Sequence, residues 1–198
     1  LSATQITSIS TSAIKGLSAN NIAALSTTQV KAFTDGQLKQ MTTAQLAAFT
    51  KAQMGAMTSD QINALSTGQV GALSGSQISG ISTAEIGNLA TASLKAMNAK
   101  QIQALTTDQI IALIGDQLSA LGTGQVANLT VQQIGAIEVS DLTGMGTDQI
   151  RAMSISQVAA LKTTQLSAMT TSQIQALEVD EVAKLSAAQI KSLETTQI

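Results

Sequence analysis

The chain contains no cysteine, histidine, proline, tryptophan or tyrosine, and its only aromatic residues are Phe33 and Phe49. Without cysteine there is no disulfide framework, no thiolate metal site and no thiol nucleophile, an absence as compatible with the cytoplasm as with a bacterial secreted protein that avoids cysteine. Without histidine there is no Ser-His-Asp triad and no imidazole ligand for zinc. Charged residues make up 11% of the sequence and the formal net charge is −2. The few lysines are scattered, so no basic stripe points to a nucleic-acid partner. No apolar run approaches the roughly 20 residues that span a bilayer, so membrane insertion is not expected, and no signal peptide is evident. The glycines lack the Gly-x-Lys-Ser/Thr context of a phosphate-binding loop. Yet 44% of the residues are hydrophobic, far more than a disordered chain carries. The chain therefore folds, around a thin core of aliphatic side chains.

What fills the sequence is one octapeptide, seen plainly at Thr106-Thr107-Asp108-Gln109-Ile110-Ile111-Ala112-Leu113. The unit reads Ser/Thr, any, any, Gln, Ile/Leu/Val, any, Ala, Leu/Met. Residues 2–193 hold 24 full units without insertion or deletion, and a partial unit follows at 194–198. A fixed short period governs how every other feature is read, so residues 1–198 are expected to form a single repeat domain. Both ends sit inside the pattern, so the chain is expected to be a piece of a longer tract.

Position five is aliphatic in every unit, from Ile6 and Ile14 to Ile198, and position eight is apolar from Ile9 and Leu17 to Leu193. A spacing of three puts the two anchors on one face of a helix. Positions one and four supply the helix start. Ser26 with Gln29, Thr42 with Gln45, Thr58 with Gln61 and Thr170 with Gln173 have the form of capping boxes. Asn98 replaces the hydroxyl well and Gly122 and Gly146 tolerably, whereas Ile114 and Lys162 do not. Where the Gln becomes Glu85, Asp141 or Glu181, an acceptor stays near the positive helix end but the amide donor is lost.

One continuous helix is excluded, because eight residues rotate the apolar pair by about 80° per unit, beyond what supercoiling absorbs. Strands are disfavoured, because spacings of three and five break a period of two and Ala and Gln are poor strand formers. The expected fold is all-α: a solenoid of very short helices, one per octapeptide, wound as an elongated superhelix. No octapeptide could stand alone, so stability must come from stacking on neighbours. Small residues at position seven, such as Ala24, Ala104, Gly16, Gly80 and Gly144, suggest close helix approach. Position-six glycines (Gly55, Gly71, Gly87 and Gly135) are separated by multiples of 16, which favours two octads per coil. Val131, Ile155 and Val179, spaced by 24, would favour three, and of the two readings the two-octad coil is the expected one.

A search for chemistry yields no catalytic, cofactor-binding or metal-binding residue. The densest acidic cluster, Glu178, Asp180 and Glu181, lacks the alternating spacing of a calcium loop. Asp108, Asp116, Asp148 and Asp180 share position three, where an acid favours the helix dipole. Six of the methionines, Met54, Met57, Met97, Met145, Met153 and Met169, occupy apolar sites as core fillers. The exposed-position apolars Val131, Val139, Ile155, Val179 and Ile111 are either scattered surface residues or part of an interaction patch. Thr pairs at Thr42-Thr43, Thr106-Thr107 and Thr170-Thr171 admit an ice-binding array as a weaker alternative.

The octad Thr58-Ser59-Asp60-Gln61-Ile62-Asn63-Ala64-Leu65 resembles short Thr/Gln/Leu-rich tandem repeats of very large bacterial secreted or surface proteins. The resemblance implies an extended structural or adhesive spacer, extracellular or on the cell surface, and it transfers no site residues. The expected function is non-enzymatic: an elongated spacer, scaffold or protein-interaction surface. Its partners are neighbouring repeats of the same chain and other protein surfaces or further copies, with no cofactor. The alternative is a repeat surface that binds a glycan, a peptide or ice.

Overall fold

The computed structural model describes residues 1–197, so the position-five residue Ile198 lies outside the described residues. Among the described residues there are 23 α-helices of four to six residues, one short 3-10 helix (Ala13–Gly16) and no strand. Each octad supplies one helix. Helix Thr43–Ala47 and helix Thr107–Ile111 are representative: the position-one residue is the N-cap and the helix closes by position six or seven.

The chain turns between helices without any unusual backbone. No residue has positive φ and no peptide bond is cis among the described residues. The bend comes instead from two successive extended residues. Position eight is extended, as at Met41 (φ −63°, ψ 141°), and so is the following N-cap, as at Thr42 (φ −73°, ψ 159°). This polyproline-like pair is open to any L-residue, which is why the junction needs neither glycine nor proline.

Capping is as regular as the spacing suggests. The Thr106 hydroxyl accepts from the Gln109 N–H at 3.1 Å, and Gln109 Oε1 accepts from the Thr106 N–H at 2.9 Å. At Ile114 and Lys162 the hydroxyl half is missing. The glutamine half persists, with Gln117 and Gln165 accepting from the cap N–H at 3.0 and 2.8 Å. The 3-10 helix falls in the octad where Ala13 stands in place of the glutamine.

The chain packs as two compact units, Leu1–Leu105 and Thr106–Ile198. Within each, helices pack against the helix three octads further on. Helix Gly75–Ile78 lies against Ala99–Ala104 in the first unit, and Thr107–Ile111 against Val131–Ala136 in the second. Side-chain bonds link residues 28 and 31 apart. One coil is therefore three to four octads, about 28 residues. The two-octad coil suggested by Gly55, Gly71 and Gly135 is not what forms. Position six faces the position-seven carbonyl three octads on: a Cβ on Gly71 would sit 3.6 Å from the Ala96 oxygen, and one on Gly135 3.8 Å from that of Ala160. The spacing of 24 between Val131, Ile155 and Val179 carried the better signal.

The core follows the two anchors. Position five is sealed throughout most of the chain, as at Ile62, Leu94, Ile134 and Leu166. Position eight points to the coil interior, where Phe33 and Phe49, two octads apart, meet edge to face at 6.3 Å between ring centroids. Close approach at position seven is real only in places. A Cβ on Gly80 would lie 2.5 Å from the Lys51 carbonyl oxygen, whereas one on Gly16 would meet nothing within 4 Å.

Candidate functional surface

The side chain that organises the coils is the position-four glutamine, and it is buried. Gln101 shows its whole use. Oε1 accepts from the Asn98 N–H of its own octad at 2.8 Å. Nε2 donates to the carbonyls of Val70 and Leu73 in the preceding coil, both at 2.7 Å. Gln37, Gln45 and Gln77 repeat the arrangement in the first unit, and Gln149, Gln157, Gln165 and Gln173 in the second, with Nε2–O distances of 2.7 to 3.0 Å. The receiving carbonyls are those of positions five and eight. The position-five carbonyl also accepts the position-eight N–H of its own octad, as Val70 does from Leu73 at 3.1 Å, and the position-eight carbonyl lies just past the helix C-terminus, where backbone acceptors lack an intrahelical donor. A primary amide on a two-carbon stem is the one group that offers an acceptor to its own cap and two donors to the coil behind. The recurring capping box accounted for the acceptor half. The donor half was missed, because a sequence period states which residues recur and not which coil they face.

Acids at position four reverse the polarity of the contact. Glu85 turns out and accepts from the Ser59 N–H, 26 residues back, at 2.5 Å. Asp141 takes a hydrogen bond from the Gly115 N–H, again 26 residues back. Burial, with the nearby charge of Glu138, raises the Asp141 carboxyl above the usual carboxylate range, and the Gly115 bond partly offsets this. Glu181 keeps only its own cap, accepting from the Glu178 N–H at 2.9 Å. At Ser93 the clamp is replaced by a hydroxyl bond to Asn63 Oδ1 at 3.1 Å, while Asn63 itself accepts from the Ala90 N–H.

The outer surface carries little chemistry. Among the described residues no group of three or more Asp or Glu is arranged to hold a metal ion. Glu178, Asp180 and Glu181 border an open groove of about 430 Å³ with Arg151, Ser154 and Ile155. The Arg151–Asp148 ion pair at 3.0 Å is exposed, where such pairs contribute little. In the Thr pairs, the position-one oxygen accepts a helix N–H, as at Thr42 and Thr170. Thr171 donates to the Thr196 carbonyl at 2.8 Å. Val131, Ile155 and Val179 are exposed on helices that pack successively against one another, so they form a column rather than a scatter. Val179 is 83% exposed.

A one-helix octad, clamped to the coil behind by a buried amide, defines a tandem-repeat solenoid of short helices. The hexapeptide at the junction between octads, Ala104-Leu105-Thr106-Thr107-Asp108-Gln109, is its signature. A family model described as the ALTTAQ repeat matches residues 30–67, 78–114, 134–171 and 158–187. The chain belongs to the ALTTAQ repeat family. No curated protein matches it. Among the described residues no helix is long and apolar enough to cross a membrane.

Proposed function

We propose that this chain is a non-enzymatic structural module, an elongated spacer or scaffold within a large secreted or cell-surface protein. The observation that carries this reading is the glutamine clamp. The same three hydrogen bonds recur from coil to coil. A contact that repeats unchanged sets no natural length, and a fold without a natural length suits the setting of distance. The resemblance of the octad to repeats of large bacterial surface proteins supports the location. Solution scattering of the chain tests the elongated form: a pair-distance distribution with a long tail is expected, and a bell-shaped curve of a compact globule overturns it.

A protein-contact role is the second element of this reading, and the column Val131–Ile155–Val179 favours it. Aligned exposed apolar side chains are what a partner surface covers. Ile155→Lys is expected to abolish any capture of a protein partner while leaving the helical circular dichroism unchanged. Thermal hysteresis or retention on a glycan array would instead favour the ligand-binding alternative.

A further inference from the structure

We infer that the first unit contains a built-in seam, where the octads of residues 50–65 and those of residues 82–97 part while the octads on either side stay clamped. Two successive octads, those with Glu85 and Ser93 at position four, lack the glutamine that fastens the octads before and after them.

The clamp has a fixed reach. Gln69 and Gln77, just before the gap, donate to carbonyls 31 and 28 residues back, those of Leu38 and Met41 and of Leu46 and Phe49. Gln101, just after it, takes Val70 and Leu73. By the same reach, positions 85 and 93 would take Met54 and Met57, then Ile62 and Leu65. The Glu85 carboxylate has no donor to give, and a serine hydroxyl is too short to span the distance. The Met54 and Ile62 carbonyls still accept from the Met57 and Leu65 N–H groups of their own octads, at 3.2 and 3.1 Å. Among the described residues no donor reaches the Met57 or Leu65 carbonyl, although both residues are buried. A buried acceptor without a donor weakens the closed state.

What does cross the seam is different in kind. Glu85 accepts from the Ser59 N–H at 2.5 Å. Asn63 accepts from the Ala90 N–H at 2.8 Å and from the Ser93 hydroxyl at 3.1 Å, and donates to the Asn88 carbonyl at 3.3 Å. Glu85 and Asn63 are only half-buried, so water replaces these bonds at little cost when they break. Ala90 gives helix Thr91–Lys95 no side-chain cap, which loosens that helix further. The border of the seam is tight by contrast. A Cβ on Gly80 would lie 2.5 Å from the Lys51 carbonyl oxygen, and one on Gly75 would lie 2.8 Å from that of Ala104. The anchors Met54, Ile62, Ile86 and Leu94 are sealed, so apolar contact keeps the seam shut at rest. In a spacer under tension the seam gives way before the clamped octads around it, and this consequence alone rests on the spacer reading.

Hydrogen exchange of the whole chain, read by mass spectrometry, tests the seam. Peptides within residues 58–65 and 82–97 are expected to exchange about tenfold faster than those within 66–81, whose clamps are intact. Glu85→Gln with Ser93→Gln supplies both missing amides and is expected to bring the two segments to within about twofold of residues 66–81. If crowding at Asn63 costs that pair its helical circular dichroism, Glu85→Gln alone is read, and it is expected to slow residues 82–89 about threefold. Wild-type exchange over 58–65 and 82–97 that matches 66–81 would overturn the inference. So would exchange that a variant of native helicity leaves unslowed. Solution scattering keeps the two readings apart: a compact globule removes the consequence for tension and leaves the seam, whereas unslowed exchange removes the seam and leaves the spacer.

Discussion

At the scale of the residue, one side chain decides the architecture. Gln101 satisfies three backbone groups with one amide. Gln101→Glu keeps the size and the acceptor but sets a carboxylate against the Val70 and Leu73 carbonyls. A buried group left without its donors costs about 1–3 kcal/mol, and more when charged. The variant is expected to lose about 2–4 kcal/mol at neutral pH in urea unfolding and to regain part of it in acid, where the protonated carboxyl donates once. A loss below about 0.5 kcal/mol would show that the clamp is decorative. The native chain contains a milder version of this experiment. The Asp141 carboxyl is raised above its unfolded value by burial and by Glu138. Below the ordinary carboxylate range both states hold the proton and there is no penalty. As pH rises from that range through the raised folded value, the unfolded chain releases its proton first. Stability then falls, and the deficit persists above. Asp141→Gln is expected to remove this slope and to raise stability at neutral pH by about 1 kcal/mol, measured as melting temperature against pH. An unchanged pH profile would show that Asp141 is not its source.

At the scale of the element, the helix was the legible part. Position one as cap, positions five and eight as anchors and the eight-residue period all stand in the sequence, because capping and amphipathicity are local. The size of the coil did not, because it depends on how far the chain turns at the extended pair. That angle is set by the backbone dihedrals at positions eight and one, which the anchor and cap residues there do not specify, because any L-residue can adopt them. The glycines illustrate the same limit. They look alike in sequence, but their surroundings differ. A Cβ on Gly80 would meet the Lys51 carbonyl at 2.5 Å, whereas one on Gly68 would meet nothing within 4 Å. Gly80→Ala is expected to cost about 1–3 kcal/mol by forcing two helices apart. Gly68→Ala, inside helix Thr67–Gly71, is expected to stabilise by about 0.5–1 kcal/mol through helix propensity and lost chain entropy. Equal melting temperatures for the two variants would refute the close approach at Gly80.

At the scale of the whole molecule, stability is a sum of neighbouring contacts and is not uniform. The position-five side chains Ile174, Val182 and Ile190 are half-buried or exposed, whereas those of the earlier octads are sealed. Hydrogen exchange read by mass spectrometry is therefore expected to proceed fastest over residues 170–193, with protection rising toward the sealed octads around Ile134 and Leu166. Uniform exchange along the chain would mean that the octads open together and do not depend on the coil that follows. That no function beyond a structural module could be read from the residues has a physical basis. A repeat constrains the inward-facing positions and leaves positions two, three and six, where recognition would reside, free to vary.

The direction of the clamps has a consequence for how such a protein is made. Each clamping glutamine lies 28 to 31 residues after the carbonyls it binds, so the acceptors always leave the ribosome before their donor. Each turn can be fastened as soon as the next has emerged, and no fastening waits for a distant part of the sequence. The loop to be closed stays the same size however many turns are added, so lengthening the array does not slow its assembly.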